Sequence, residues 1–375
     1  AAPPPVRTSL KQSLRLSPPS PGLESSHGEP HEHCDLPKVD RMRFDAACQN
    51  KFGRHEKFAP RYLWSKKAYD ASNFAPDLFS TDEGIDGLIL ELAVGKNMVK
   101  SIRYWGQAFR IFTEEKQKGK RLNLISPTPI GHAFFADTGW DPYCERPDTL
   151  WLLHWWLLAP GSFAPSWWLA FNEYTGLKFT AAELEQFITD RTTDWQPARS
   201  NIKKDVECLI QMYASGHSKK ATFDDRLNHP FRELDLIRPV DREPGVYRFL
   251  VGPKVTLAPE VVAFACLDFV ARTQIGQKTI NVSRLAVEAG SPGKVFNLTE
   301  TALTDLLEIV AAQPESKFKL TTAAGVARIA LTGDPACIAA DLIRGHYQKF
   351  VDHCQEPPGD LAGPGADLGL RLIDA

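Results

Sequence analysis

The segment from Leu150 to Ala159 (LWLLHWWLLA) is the strongest constraint on the fold, because nine of its ten residues are apolar. A helix that spans a bilayer needs about 20 such residues, so this segment is too short to cross a membrane. It is apolar on all sides, which is typical of a helix enclosed in a protein core. The sequence therefore predicts a globular protein packed around this segment, with no membrane association.

Composition narrows the class of protein further. Hydrophobic residues make up 43% and charged residues 24% of 375 residues, which suits two or three globular domains. The net charge is −2, so any attraction to nucleic acid must come from a local excess of basic residues. The seven cysteines contain no C-x-x-C pair, which argues against a zinc ribbon or a disulfide framework and predicts a cytoplasmic location.

Repeated blocks of helix, helix, turn and β-like sequence predict the domain organisation. The Pro/Ser-rich residues 1–50 are predicted to be a disordered leader and residues 351–375 a flexible tail. We predict a winged-helix DNA-binding unit at 51–137, a helical unit with a second winged-helix-like element at 138–255, and a third winged-helix-like unit at 256–350. The predicted fold class is mainly α with small β wings, in tandem winged helix-turn-helix-like units.

Within the first unit, turn and capping residues predict the element boundaries. Pro60 suits the first turn of a helix, Ser80 and Thr81 suit an N-cap, and Asn97 suits the cap of the next helix. A charged turn at 114–121 precedes the segment LNLISPTPIGHAFF, which predicts the β-pair of a wing.

The segment VGKNMVKSIRYW at 94–105 contains a Gly-Lys pair that could belong to a nucleotide-binding loop. A phosphate-binding loop needs a second glycine five residues earlier and a hydroxyl residue after the lysine, but Leu90 and Asn97 occupy these positions. The nucleotide interpretation is therefore excluded by spacing.

A DNA-binding interpretation of the same segment fits better. Lys96, Lys100 and Arg103 fall at i, i+4 and i+7, on one face of a helix opposite its apolar stripe. Residues 96–121 contain eight basic and two acidic residues. Such a face could contact several phosphates and the major groove. An ordinary solvated face, or a protein-binding winged domain, remains the alternative.

Two segments contain candidate hydrolytic groups. In Arg54-His55-Glu56-Lys57, His55 could transfer protons and Glu56 could hold a metal ion, although the charges could equally cap the next helix.

The second segment, DPYCERPDTLWLLHWW, holds Asp141, Glu145, Asp148 and His154, which could bind Mg²⁺. Alternatively, Asp141 starts a turn, Asp148 caps a helix and His154 is a core histidine. Lys294, in the turn SPGK, could contact a phosphate or simply lie in a tight turn.

Several segments between Phe52 and Leu331 resemble a family of bacterial proteins encoded beside phosphoadenosine-phosphosulfate-reductase-like genes. The segments are FGRHEKFAPRYLWSKKAY, VGKNMVKSIRYW, DPYCERPDTLWLLHWWLL, FNEY, KKDVECLIQMY and SPGKVFNL. The family includes the SspB component of the Ssp DNA phosphorothioation system. The resemblance implies a phage-defence protein that nicks one DNA strand to allow sulfur incorporation into the backbone. It also implies double-stranded DNA, a sulfur-transfer enzyme and an ATPase of the same operon as partners.

The sequence thus predicts a DNA-binding, DNA-nicking protein with Mg²⁺ or another divalent cation as cofactor. The residues below are chosen on physical grounds, since the resemblance identifies no active-site residue. The candidate catalytic residues are His55, Glu56, Asp141, Glu145 and His154. The candidate DNA-binding residues are Arg54, Lys57, Lys96, Asn97, Lys100, Arg103 and Lys294. A non-catalytic adaptor and a transcription regulator are the alternatives, and the absence of a recognised nuclease motif favours the adaptor.

Overall fold

The apolar segment around residue 150 forms a core helix in the computed structural model of the chain. This helix spans Pro147–Leu158, and every residue from Asp148 to its end is buried. Proline suits the first turn because its missing N–H would have no partner there. The Trp155 indole donates a 2.8 Å hydrogen bond to the buried Asp268 carboxylate. The prediction of a buried helix is confirmed.

The structure describes residues 43–116, 123–214, 228–273, 276–323 and 325–351. Within these ranges, the helices are α1 (Phe44–Ala47), α2 (Trp64–Phe74), α3 (Pro76–Ser80), α4 (Asp82–Glu91), α5 (Lys96–Ala108), α6 (Pro129–Phe135), α7 (Pro147–Leu158), α8 (Pro165–Asn172), α9 (Ala181–Arg191), α10 (Arg199–Tyr213), a 3-10 helix (Pro230–Leu234), α11 (Pro259–Thr273), α12 (Val282–Val287), α13 (Pro292–Val295), α14 (Glu300–Ala311) and α15 (Pro335–Val351). None of the described helices is long and apolar enough to cross a membrane.

Three small antiparallel sheets accompany the helices in the described ranges. The strands are β1 (Phe112–Lys116), β2 (Asn123–Pro127), β3 (Lys178–Thr180), β4 (Ile237–Pro239), β5 (Val246–Phe249), β6 (Thr279–Asn281), β7 (Phe318–Ala323) and β8 (Val326–Leu331). Their orders are β1-β2, β3-β5-β4 and β6-β8-β7. The predicted class, mainly α with small β elements, is confirmed at this level.

Local sequence patterns account for several elements of the predicted second and third units. The segments TAAELEQFITDR and SNIKKDVECLIQMY form α9 and α10. Helix α9 begins with a capping box, in which Thr180 and Glu183 each accept a hydrogen bond from the other's backbone N–H. The hairpin β7-β8 turns at Gly325, whose φ of 77° is easily adopted without a Cβ.

The predicted wing of the first unit is partly wrong. Strand β2 does pair with a neighbour, but the partner is β1, from the segment assigned to a charged turn. The sequence PIGHAFF, predicted as the second strand, forms α6 instead. The reason is local, because Thr128 Oγ1 accepts a hydrogen bond from Gly131 N at 2.9 Å and Pro129 occupies the first turn. Residues 117–122 of the basic run lie outside the described residues.

Two helix starts also differ from the prediction. The helix expected at Pro60 begins only at Trp64. Helix α5 begins at Lys96 with Gly95 as its N-cap, so the prediction that Asn97 caps it is wrong. Thr81 does cap α4, by accepting a hydrogen bond from Gly84 N.

Apolar side chains from all three predicted units belong to one continuous core. For example, Phe109 stacks on Phe231 with ring centroids 5.4 Å apart, and Phe134 meets Tyr347 at 4.9 Å. Residues assigned to the end of the leader already join this core, since Phe44 of α1 lies 4.5 Å from the Trp195 ring. Most of the predicted leader (1–42) and nearly all of the tail (352–375) lie outside the described residues. The three-unit boundaries stay a prediction.

Candidate functional site

Residues 54–58 (RHEKF) form a turn, called here the RHEKF turn. This turn and helix α5 are neighbours in space, although about forty residues separate them in the sequence. The carbonyl of Phe58 accepts hydrogen bonds from Trp105 Nε1 at 2.9 Å and from Ser101 Oγ at 3.3 Å. The His55 ring lies 5.9 Å from the Tyr104 ring and 6.1 Å from the Trp105 ring. The two segments with candidate DNA-binding residues therefore form one structure.

A buried carboxylate, Asp205 of α10, holds the RHEKF turn in place. Its Oδ1 accepts hydrogen bonds from Gly53 N at 2.8 Å and pairs with His55 Nε2 at 2.9 Å. Its Oδ2 accepts a hydrogen bond from Ser166 Oγ at 2.6 Å. The His55 and Asp205 side chains are 0% and 1% exposed, so these donors replace the water that the carboxylate loses on folding.

The same geometry limits what His55 can do chemically. In a nucleophile–base pair the hydroxyl bonds directly to the imidazole, whereas Ser166 here bonds to the carboxylate. The other ring nitrogen, His55 Nδ1, is buried and has no hydrogen-bond partner among the described residues. The contacts of His55 thus hold the turn against α8 and α10, and the ring is not exposed to solvent.

The turn presents its charged residues outward. Glu56 and Lys57 have φ values of 50° and 66°, so the chain reverses in the left-handed region at both positions. Arg54, Glu56 and Lys57 are exposed, while His55 between them is enclosed. Neither Arg54 nor Lys57 forms an ion pair with any residue in the described ranges.

Helix α5 carries its basic side chains in different environments. Lys96 is half exposed and pairs with Asp86 at 2.9 Å, and Lys100 is partly buried. Arg103 is engaged by Glu114 of β1 through a bidentate ion pair. Burial alone would raise the pKa of Glu114, but the hydrogen bonds from Arg103 and Asn123 lower it. Asn97, also predicted to contact DNA, is exposed in the first turn of α5.

Lys51 is a basic residue that the sequence interpretation missed. Its ammonium lies 4.0 Å above the Phe163 ring and donates to Gln107 Oε1 at 3.4 Å. Burial lowers the pKa of Lys51, and the nearby cations Arg54 and Arg103 lower it further, while Glu114 opposes the shift. We call Lys51, Arg54 and Arg103 the basic cluster, because their charges interact across the turn and α5.

Asp141 acts as a local cap. It is 5% exposed, and its two oxygens accept hydrogen bonds from Glu145 N at 2.9 Å, Arg146 N at 3.1 Å and Thr149 Oγ1 at 2.5 Å. Burial raises the pKa of Asp141, although these hydrogen bonds oppose the shift. Glu145 is exposed. These contacts match the interpretation in which Asp141 starts a turn.

His154 is fully enclosed between α7, α10 and α13. Its Nε2 donates to the Val295 carbonyl at 2.8 Å, so its Nδ1 accepts from the Tyr213 hydroxyl at 2.7 Å. Burial lowers the pKa of His154 to about 4, so the ring is neutral at pH 7. These contacts match the core-histidine interpretation. Lys294, the candidate in the SPGK turn, is partly exposed on α13.

The carboxylate of Asp148 has a histidine partner that the sequence did not predict. His346 of α15 bonds to it through Nε2 at 3.0 Å, and Arg146 bonds to the same oxygen at 3.0 Å. Burial alone would raise the pKa of Asp148, but these two partners lower it. A separation of 198 residues hides this pair from any local sequence pattern.

The candidate carboxylates do not form a ready metal centre. Across the described ranges, no three side chains of His, Cys, Asp or Glu converge as ligands for a metal ion. Both Asp141 oxygens are occupied by backbone and hydroxyl donors. The residues present therefore do not fit a cage of three protein ligands, and no reaction step is assigned to a metal ion.

Comparisons with known proteins identify a sequence family and solved structures that this chain resembles. The sequence model of the family described as "Protein of unknown function (DUF4007)" matches residues 52–347. A solved structure described as "SspB crystal structure" is 34% identical, has a TM-score of 0.76, and the match covers 84% of this chain and 93% of that one. Another, described as "Magnesium ion-bound SspB crystal structure", is 34% identical with a TM-score of 0.77 and coverages of 88% and 95%. A search of curated proteins finds no match.

Proposed function

Because the chain belongs to the DUF4007 family and is a relative of SspB, we propose that it is a DNA-binding component of a DNA phosphorothioation system. In this proposal it nicks one strand, so that sulfur can be incorporated into the backbone as part of phage defence. Its proposed partners are double-stranded DNA and the sulfur-transfer enzyme and ATPase of the same operon, in the cytoplasm. The observation that carries the DNA part is the basic cluster, which spans the RHEKF turn and α5.

The basic cluster supports DNA binding because Lys51 and Arg54 add positive charge beside the Arg103–Glu114 ion pair, in a chain of net charge −2. The buried Asp205 contacts hold the turn in one conformation, so the exposed Arg54 and Lys57 need little further ordering to meet a phosphate. Phosphate contacts supply most of the sequence-independent affinity for DNA.

Helix α5 is the proposed recognition helix of a winged-helix unit. It follows α4 after a short turn and precedes the hairpin β1-β2, which is the proposed wing. Lys96 and Asn97 are exposed at its N-terminal end, and Lys100 is one turn further on. In this arrangement, α5 would enter the major groove while Arg54 and Lys57 contact the backbone.

Glu56 is the proposed hydrolytic group among the five candidates. Hydrolysis of a phosphodiester needs a group that activates water and cations that hold the phosphate. Glu56 is exposed between the cations Arg54 and Lys57, whereas His55 and His154 are enclosed. Because one SspB structure is described as magnesium-bound, we include Mg²⁺ as the proposed cofactor.

The test is conversion of supercoiled plasmid to the open-circular form by the purified chain, with Mg²⁺, Mn²⁺ or EDTA. We expect open-circular product with a divalent cation, and a large loss of product in Glu56→Gln. Glu308→Gln is the matched control, because Glu308 is also exposed but lies on α14 and is not among the candidate residues. Absence of product with every cation would refute nicking, and equal activity of Glu56→Gln would refute the role of Glu56.

A non-catalytic adaptor is the second candidate. It is favoured by the enclosure of His55 and His154, whose described contacts lie within the core. This candidate predicts that the chain retains a plasmid in a mobility-shift assay without nicking it. DNA binding that persists while every cation condition leaves the plasmid supercoiled would support it.

A further inference from the structure

The RHEKF turn contacts helix α10 as well as helix α5. At the end of the turn, the Phe58 carbonyl accepts hydrogen bonds from α5, whereas His55 bonds to Asp205 of α10. A Cβ added at Gly53 would come within 2.8 Å of the Asn201 side chain, so the start of α10 also lies against this segment. Side chains in the first two turns of α10 therefore adjoin the proposed DNA-binding surface.

The accessible side chains at the start of α10 include three basic residues. Arg199 and Lys203 are exposed, and Lys204 is partly buried. Lys204 follows Asn201 by three residues, so the two side chains are neighbours on the helix surface. Glu207 lies 4.0 Å from Lys203 in an exposed pair, which offsets the charge of Lys203 only weakly. We call Arg199, Lys203 and Lys204 the α10 basic face.

Helix α10 has a counterpart, α14, in a second set of elements with the same order. The described elements α8, β3, α9, α10, β4 and β5 form the sheet β3-β5-β4, in which the first strand pairs with the last. The elements α11, β6, α12, α14, β7 and β8 form the sheet β6-β8-β7 in the same way, with the short α13 before α14. In helix-turn-helix proteins, the second helix of the pair contacts DNA through residues near its start. By this order, α10 and α14 are the helices to compare.

The two corresponding helices differ in charge. Every charged side chain of α14 is acidic, and Glu300, Asp305 and Glu308 are all exposed. Such a surface repels the phosphates of DNA, whereas the α10 basic face attracts them. The same order of elements is therefore electrostatically suited to DNA at α10 and unsuited at α14.

We propose that the α10 basic face is a second DNA-binding surface, and that one duplex contacts α5, the RHEKF turn and α10 together. Its three basic side chains contact phosphates of the same duplex that Arg54 and Lys57 contact. This inference rests on the proposed DNA-binding function and extends it to a helix that the sequence did not identify. It also excludes α14 from the interface.

Replacing all three residues of the α10 basic face by Ala tests the surface in the full chain. If each residue neutralises one phosphate, the slope of log DNA affinity against log salt concentration should fall by about 2.7, and the affinity about tenfold or more. Fluorescence anisotropy with a labelled duplex measures both quantities. The control replaces three other exposed basic residues, in or beside the β6-β8-β7 sheet, by Ala and should keep the wild-type slope. These residues are Lys278, Lys319 and Arg328.

A matched pair of charge reversals tests the same surface by a gain of affinity, which a loss of folding cannot imitate. Glu207→Lys and Glu308→Lys add the same charge at exposed positions of α10 and α14. Glu207→Lys should raise the DNA affinity and steepen the salt slope by about 0.9, as expected for one further phosphate contact. Glu308→Lys should leave both unchanged.

The outcomes separate this inference from the proposed function. If wild type binds DNA but the triple Ala variant has the same salt slope, or if both Lys variants gain equally, the role of α10 is refuted while DNA binding stands. If wild type shows no salt-dependent binding to the duplex, the proposed DNA-binding function is refuted, and the role of α10 with it.

Discussion

Replacing Asp205 by Ala removes the one acceptor shared by three donors, two from the segment 53–55 and one from α8. Gly53 N, His55 Nε2 and Ser166 Oγ bond to it at 2.8, 2.9 and 2.6 Å, in surroundings that leave the carboxylate 1% exposed. Each buried donor left without an acceptor costs about 1–3 kcal/mol. Because three donors are affected and the site can relax partly, we expect the free energy of unfolding to fall by about 3–5 kcal/mol.

Equilibrium unfolding in urea measures this loss, and a mobility-shift assay under folding conditions measures its effect on DNA binding. Glu207→Ala is the control on the same helix, since its 4.0 Å pair with Lys203 is exposed and should change stability by about 0.5 kcal/mol or less. Ser166→Ala should lose about 1 kcal/mol, because it removes one donor and leaves the carboxylate two others. A loss below about 1 kcal/mol in Asp205→Ala would refute the claim that this carboxylate anchors the RHEKF turn.

Three further results are expected. If Arg54 and Lys57 each neutralise one phosphate, replacing both by Ala should reduce the slope of log DNA affinity against log salt concentration by about 1.8. Fluorescence anisotropy with labelled DNA measures this slope. An unchanged slope would exclude both residues from the DNA interface. His154 has a folded pKa of about 4 and an unfolded pKa of about 6.5, so its stabilising effect is present above pH 6.5 and is lost as the pH falls toward 4. Between pH 7 and pH 5, the wild-type chain should therefore lose about 2 kcal/mol more of its free energy of unfolding in urea than His154→Gln loses. Equal losses in the two proteins would contradict a lowered pKa for His154. Gly131→Ala should lower the free energy of unfolding by about 2 kcal/mol, because the new Cβ overlaps the backbone carbonyl oxygen of Ile111. Gly345→Ala is the control, because its new Cβ meets open space and should not lower the free energy of unfolding. Equal unfolding midpoints for these two variants would contradict the packing around α6.

Local patterns in the sequence account for most of the helices. The apolar run of α7, the capping box of α9 and the glycine turn of the β7-β8 hairpin are each determined within a few residues. The prediction of the wing is wrong after residue 128 because Thr128 and Pro129 start α6 within a segment of β-like composition. Strand β1, which pairs with β2, has the charged sequence FTEEK, and this sequence alone does not indicate a strand.

The candidate site was only partly predictable. The sequence identifies the basic residues of the RHEKF turn and of α5, but the structure decides which charges are already paired. Arg103 bonds to Glu114, while Arg54 remains exposed beside Lys51. These outcomes depend on side chains that meet only after α5 has packed on the turn and on β1.

The sequence by itself determined a globular, mainly helical chain with an enclosed apolar helix and a local excess of basic charge. Only the tertiary structure decided the environment of the histidines. His55 meets a carboxylate 150 residues away, and His346 meets one 198 residues away. Helix capping and periodicity act over a few residues and are visible in sequence, whereas burial and hydrogen-bond partners arise when distant segments exclude water from a shared core.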